Sequence, residues 1–372
     1  MYDIFGTPFG WIMRLIYQLV NNYGVAIVLF TIITKILLFP ISYKQQKNTL
    51  RMQLIQPKLK KLQAKYKDKP QELQQAQMQL YQEEHVNPMS SCLPMFLQFF
   101  LLFGVLDVVY KPLTHILHYS KSVISKVVEI STGILGDSVA KQYTGLRQEL
   151  GVLKAFQDNP SAFSNVDTFD TSKVSDFMEH FTVFGVNLGE TPTWHPEVWN
   201  TSAVILFCIP LLSGILQLIM TIYMQIMQKK RGTAPEQNMG CMNVMLYVMP
   251  LFSVWFAFQV SAGVGFYWAC SSFFSLLQTI GLNLYFTPER GAKIIEKENK
   301  KMEARYAAGK QSFTERMMNQ NAGAARVQET EKTKNMSNRE LSSYNKQKIQ
   351  EARKRMAEKY GETYEEDSSD ED

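Results

Sequence analysis

Five apolar runs divide the chain: Val25–Ile41, Cys92–Tyr110, Ala203–Met227, Val244–Val260 and Gly263–Tyr285. Each is near the length that an α-helix needs to cross ~30 Å of hydrocarbon. Between the first two, Lys44–His85 is almost wholly polar and rich in helix formers. Met52, Ile55, Leu59, Leu62 and Tyr66 recur there at three- and four-residue steps, and Leu73, Ala76, Leu80 and Tyr81 form a second thin stripe. Lys67–Pro70 breaks the pattern, and Pro70 suits a first helical turn. The segment therefore predicts a helical hairpin whose arms pack on each other, with Pro57 as a bend point. At the N-terminus, Trp11, Ile12, Leu15, Ile16 and Leu19 share one helical face, opposite Arg14 and Gln18. That pattern predicts an interfacial amphipathic helix. The competing reading is a sixth, tilted span, interrupted by Pro8, Arg14 and Asn21–Asn22.

Cations in the flanks set the orientation. Lys44, Lys47 and Arg51 follow the first run, Lys229, Lys230 and Arg231 the third, and Arg290 and Lys293 the fifth. The excess of Lys and Arg on cytoplasmic flanks places all three inside, the N-terminus outside and the C-terminus inside. The chain then divides into an interfacial helix 1–22, a first span 23–43, a cytoplasmic hairpin 44–88 and a second span 89–111. An extracytoplasmic loop or insert 112–199 leads to a third span 200–228, a cytoplasmic loop 229–242, a fourth span 243–260 and a fifth span 262–286. A charged and largely disordered cytoplasmic tail, 287–372, ends the chain. The outer segment is too long for a plain connection. It reads as a helix-like stretch, Ile116–Phe156, then a Ser/Asp/Thr-rich linker around Asp158–Ser175, with Trp194 and Trp199 in an interfacial belt. The tail is basic at first and acidic over Glu362–Asp372. A basic tail can meet anionic lipid or ribosomal RNA, and a solubilising role stands beside that reading.

Composition agrees with a multi-pass plasma-membrane protein: 46% of the 372 residues are hydrophobic and the net charge is +5. Asp3 is the first charge, and no basic region precedes an apolar stretch, so the N-terminus does not read as an ordinary signal peptide; a signal removed upstream stays open. Cys92, Cys208, Cys241 and Cys270 read as buried small hydrophobes rather than a disulfide framework. His115 and His118 lack further ligands at zinc spacing. No nucleophile, acid–base pair or phosphate-cradling loop is legible, so the reading is a non-enzyme without cofactor or metal.

The singular residue is Lys35, alone in an apolar run. A cation there costs roughly 2.5–3.5 kcal/mol on insertion scales. It must snorkel, pair or face water. Snorkelling stays open, because the cytoplasmic end is near. Asp107, the obvious acid in a span, lies toward the opposite side. The remaining reading is a hydrated groove, wetted by Thr31, Thr34, Ser42, Gln217 and Gln225. A cation in such a groove, beside a charged hairpin, suggests a machine that handles polar segments at a membrane. The alternative is a secondary transporter or channel using Lys35 as an anion site, which would ordinarily show paired repeats and broken helices.

The ordered motifs point further. Tyr23-Gly24 precedes the run that holds the single cation. Lys44-Gln45-Gln46, Ile55-Gln56-Pro57-Lys58-Leu59, Asn87-Pro88 and Cys92-Leu93-Pro94-Met95-Phe96-Leu97-Gln98 follow in order. Later come Phe184-Gly185-Val186-Asn187-Leu188-Gly189, Pro210 to Gly214, Met249-Pro250, and Gly265-Phe266-Tyr267-Trp268 with Gln278 after it. Over roughly residues 10–285 this series closely resembles the YidC/Oxa-type membrane protein insertases, in a shorter form like that of Gram-positive bacteria. The resemblance implies an all-α integral membrane protein: five transmembrane helices around a polar groove open to cytoplasm and lipid. It puts Lys35 where the family usually has arginine, and Tyr267 and Trp268 on the groove side of the last span. The family's third-span glutamine aligns with Met220, with Gln217 and Gln225 nearby. Phe99 and Ser261 stand where prolines are common. The implied partners are nascent membrane proteins, the lipid bilayer, the ribosome through tail and hairpin, and the Sec translocon as a further candidate; nucleotide is not required. The segment 112–183 has no counterpart in that resemblance.

Overall fold

In the computed structural model, Asn22 opens the first long helix: its extended backbone turns the side chain back to accept the N–H of Val25 at 3.0 Å. The structure describes residues 2–67, 69–84, 86, 93–231 and 240–307. The motif Asn87-Pro88, Cys92, residues 232–239 of the expected cytoplasmic loop and the tail beyond Ala307 lie outside the described residues. Residues 1–295 form one unit; a second begins at Glu296 and is described only as the end of a helix.

The elements are helical almost throughout. Tyr2–Val20 is α1, Tyr23–Lys65 is α2 and Pro70–Glu83 is α3. Leu93–Tyr110 is α4, Pro112–His115 is α5 and Lys121–Ala140 is α6. Gln148–Asp158 is α7 and Thr171–His180 is α8. A two-stranded hairpin follows, Thr182–Val183 as β1 against Val186–Asn187 as β2. Thr201–Lys230 is α9, Gly240–Ala257 is α10, Ala262–Tyr285 is α11 and Pro288–Ala307 is α12.

The first apolar run and the first hairpin arm are one 43-residue helix. At 1.5 Å per residue it is about 65 Å long, so no joint separates the apolar part from the charged arm. Pro40 and Pro57 are accommodated inside it. At the far end Ile55 and Leu59 bury against Leu80 and Val86, with Met52, Leu62 and Tyr81 around them, and Lys58 pairs with Glu84. Met52, Ile55, Leu59 and Leu62 of the first expected stripe thus meet Leu80 and Tyr81 of the second, while Tyr66, Leu73 and Ala76 stand outside this cluster. Nearer the bundle, Leu50 buries with Leu282, Phe286 and Ile295.

Side-chain contacts fix the relative directions of the five apolar helices. Phe30 lies beside Tyr267, Lys35 bonds Ser275 and Gln46 bonds Asn283, so α2 and α11 run parallel. Met224 meets Asn283 and Arg231 meets the carbonyl of Phe286, so α9 is parallel to α11 as well. Gln217 bonds Ser253 and Gln225 bonds Tyr247, so α10 is antiparallel to α9. Gly263, at the start of α11, sits against Val109, near the end of α4. The first, third and fifth apolar helices therefore share one direction. α2 and α9 each hold a stretch long and apolar enough to cross a bilayer.

The segment 112–181 differs from its expected mixture of helix and linker. Phe163, Val166 and Phe169 of the expected linker are buried, and Phe163 stands 5.7 Å from Phe156 and 5.8 Å from Phe169. The aromatic cluster continues through Phe177 and Phe181 to Tyr17 and Tyr23. Polar composition concealed a lobe because five rings, spaced widely in sequence, supply its core. The buried face of α1, Met13, Ile16 and Tyr17, belongs to the same core, while Trp11, Leu15 and Leu19 are exposed. One apolar side of α1 therefore faces protein. Cys208 also departs from its expected burial: it lies on an exposed face of α9, Cys270 is partly buried, and both are free thiols.

Candidate functional site

Two polar stripes meet between α2 and α11. On α2, Thr31, Lys35 and Ser42 fall at steps of four and seven; on α11, Ser271, Ser275 and Gln278 fall at steps of four and three. These spacings put each set on one helical face. The Lys35 ammonium donates to Ser275 Oγ at 2.7 Å. Serine is neutral, and no carboxylate of the described residues pairs with Lys35. The positive charge is thus hydrogen-bonded but not neutralised. One helical turn further along α11, the side-chain nitrogen of Gln278 is buried without a protein acceptor among the described residues. Nearer the charged arm of α2, Gln46 donates to Asn283 at 2.9 Å.

The remaining expected site residues divide. Thr31 is buried and its hydroxyl returns to the carbonyl of Ile27 at 2.7 Å; Thr34 returns to Phe30 at 2.9 Å. Both satisfy themselves within α2, as threonines in apolar helices do. Tyr267 is buried beside Phe30, with ring centroids 6.4 Å apart. Trp268 packs against Phe256 at 5.5 Å. Gln217 donates to Ser253 at 2.8 Å, and Gln225 accepts from Tyr247 at 2.6 Å. The two glutamines therefore tie α9 to α10 rather than bonding Lys35. Ser275 was missed as the partner of Lys35. Its signal was present in the repeated polar positions of α11, but an apolar run with serines reads as helix packing until a partner helix is known.

The other end of these helices is closed by the motif Phe184 to Gly189. Phe184 and Gly185 both have positive φ, 49° and 78°, which makes the tight turn between β1 and β2. Beyond the turn, the carbonyls of Leu188 and Glu190 accept from Gly263 at 2.8 Å and Ala262 at 2.6 Å, the first N–H groups of α11. On the opposite side β1 lies against Gly24: a Cβ there would meet the carbonyl of Thr182 at 2.9 Å. The hairpin is thus wedged between the starts of α2 and α11. A polar ion cluster lies at the end of α4 and on α5 and α7. Buried Asp107 is held by Lys111 at 2.6 Å and His115 at 2.7 Å. Buried Glu149 accepts from the Thr114 N–H at 3.0 Å and its hydroxyl at 2.5 Å. Burial raises the Glu149 carboxyl above its ordinary value, against the opposing effect of the Thr114 bonds.

This geometry gives a cation on an apolar helix with no carboxylate partner among the described residues, a polar stripe facing it and a β-hairpin packed between the helix starts. The comparisons with known proteins agree with the resemblance in the motifs. Three relatives are each named membrane protein insertase YidC. That of Granulibacter bethesdensis is 42% identical over 103 residues, covering 28% of this chain and 18% of the relative. That of Caulobacter vibrioides is 42% identical over 111 residues, 29% and 18% respectively. That of Francisella tularensis subsp. novicida is 43% identical over 98 residues, 26% and 18%. The aligned stretch thus covers under a fifth of each of these relatives. The family described as 60Kd inner membrane protein matches residues 15–293, about three quarters of the chain. The chain therefore belongs to the 60Kd inner membrane protein family, the YidC/Oxa family that its motifs resemble.

Proposed function

We propose that the protein is a membrane protein insertase and chaperone, with five transmembrane helices, α2, α4, α9, α10 and α11, around a polar groove open to cytoplasm and lipid. The carrying observation is Lys35 with, among the described residues, a serine hydroxyl and no carboxylate at hydrogen-bond distance. The parallel directions of α2, α9 and α11, with α10 reversed, support five consecutive crossings. Lys and Arg in the flanks support a plasma-membrane orientation with the N-terminus outside and the hairpin and C-terminus in the cytoplasm.

The mechanism rests on desolvation. A client helix with a short polar outer tail must carry that tail through hydrocarbon, where each unsatisfied polar group costs several kcal/mol. The groove takes the tail part of the way beside water and polar side chains. Lys35 offers a counter-charge to an acidic tail, and Ser275 holds the ammonium until the carboxylate replaces the hydroxyl. The attraction is stronger there than in bulk water because the local dielectric is lower. The apolar segment then leaves for lipid, its favoured solvent, and nucleotide hydrolysis supplies nothing to these steps. The hairpin receives the client, and the ribosome, through hairpin and tail, and the Sec channel are partners of the same reading.

Purified full-length protein in liposomes tests it. A presynthesised single-span client should integrate without ATP. Solute flux with no client integration would favour the transporter or channel reading instead.

A further inference from the structure

A second cation without a carboxylate partner among the described residues lies beyond Lys35, at the end of the bundle opposite the Phe184–Gly189 motif. Arg231 caps the end of α9. Its guanidinium donates to Gln53 Oε1 at 3.3 Å, from α2, and to the carbonyl of Phe286 at 3.3 Å, at the end of α11. Both acceptors are neutral, and no carboxylate of the described residues pairs with it. Burial holds the guanidinium below its ordinary value, the direction expected of a cation that lacks an anion. A basic residue at a helix C-terminus complements the helix dipole. That accounts for the position of Arg231 but not for its surroundings.

Those surroundings are a small cavity of about 130 Å³ lined by Leu50, Gln53, Leu54, Arg231, Gly291, Ala292 and Ile295. Its walls are mostly aliphatic, and Leu54 beside it is 54% exposed. Gly291 lets α12 approach, because a Cβ there would press on Leu50 at 3.1 Å. Cationic and aliphatic surface therefore adjoin where α2, α9 and α11 end their apolar parts. Lys229, Lys230 and Arg290 stand on the same flanks.

We propose that this cavity is a binding site for an anionic phospholipid of the cytoplasmic leaflet, its phosphate on Arg231 and the start of its acyl chains along Leu50, Leu54 and Ile295. Charge complementarity selects an anion, and the aliphatic walls select an amphiphile over a free anion or a nucleic acid. A lipid held there would tie the base of the hairpin to the bundle, because its contacts come from α2, α9 and α12. The placement rests on the cytoplasmic orientation proposed above, which cysteine accessibility tests separately; a failure of lipid selectivity is therefore distinguishable from a failure of that orientation.

The test uses the full chain in detergent micelles, titrated with dioleoyl phosphatidylglycerol or dioleoyl phosphatidylcholine and read by native mass spectrometry. The wild type should prefer phosphatidylglycerol by about fivefold or more, the contribution of one cation near anionic lipid. Arg231→Gln should remove that preference and Arg231→Lys should keep part of it. Leu54→Asn should weaken both lipids and leave their ratio unchanged, a readout that stands even where Arg231→Gln does not fold. Glycerol phosphate should bind far more weakly than the whole lipid. Equal binding of the two lipids to the wild type, or an unchanged preference in Arg231→Gln, overturns the proposal. Glycerol phosphate binding as tightly as the lipid makes this a free-phosphate site, and an RNA oligonucleotide that displaces the lipid makes it a nucleic-acid site; either overturns it too.

Discussion

Partly buried Lys35 and buried Glu149 show two ways of handling an ionisable group. Lys35 keeps a neutral partner, Ser275, so its charge stays available. Lys35→Ala should reduce integration of clients with acidic outer tails by about tenfold, ~1.4 kcal/mol of lost stabilisation, while Lys35→Arg retains activity. Integration kinetics for a client series with zero, one and two tail carboxylates measure this; equal rates for Lys35→Ala across the series would refute a charge role. Glu149 is instead enclosed, with Thr114 as its hydrogen-bond donor and a carboxyl raised by burial. A carboxyl raised in the folded state binds more protons there than in the unfolded chain. Its ionisation then destabilises the fold, so stability falls as pH rises from 4.5 through the raised value. Glu149→Gln leaves an acceptor for Thr114 without the charge. Melting temperature followed from pH 4.5 to pH 8 should decline more in the wild type than in Glu149→Gln; parallel curves would remove Glu149 as the source.

Among the elements, the lobe and the hairpin are stabilised differently. The lobe has a true core, so losing a ring should be felt there. Phe163→Ala removes a fully buried side chain between Phe156 and Phe169. The cost should be about 3–5 kcal/mol, the usual range for a buried phenylalanine. Hydrogen exchange should accelerate across 148–181 while the apolar part of α2 stays protected; protection lost equally in both would mean that lobe and bundle unfold as one. The hairpin lacks such a core. Its far end depends on Ile55, Leu59, Leu80 and Val86, whereas its base is held by Leu50, Gln46 and Gln53 against α9, α11 and α12. A freely hinged platform is thus not what the helix provides. Motion of the far arm must bend α2 or separate α3 from it, and Pro57 lies in that arm.

At the scale of the whole molecule, the helix directions place the lobe and the hairpin at opposite ends of the apolar bundle. Phe184 to Glu190 packs against the helix starts at the lobe end, and Arg231, Gln53 and Phe286 join the helices at the other. Single cysteines in a variant freed of native thiols test the membrane orientation. Ser161→Cys, exposed in the lobe, should react with an impermeant maleimide in intact cells. Lys65→Cys, exposed at the end of α2, should react only after permeabilisation. The reverse pattern would invert the proposed topology and, with it, the leaflet assigned to the Arg231 cavity.

Much of this organisation was legible in the sequence because it follows from local physics. Apolar length marks the long helices, periodic stripes mark the hairpin arms, and a lone lysine in an apolar run declares its cost without any neighbour in view. Asn22 and Pro70 mark helix starts through their own backbone chemistry. What only the tertiary structure decided depends on residues far apart in the chain. Ser275 meets Lys35 across 240 positions, Gln217 and Gln225 turn to α10, and Arg231 finds two neutral acceptors from α2 and α11. The lobe was hidden for the same reason. Its rings share no single period from Phe156 to Phe181, and they form a core only once the chain between α4 and α9 folds back on itself. Periodicity encodes which face of a helix is apolar; it does not encode which other helix that face will meet.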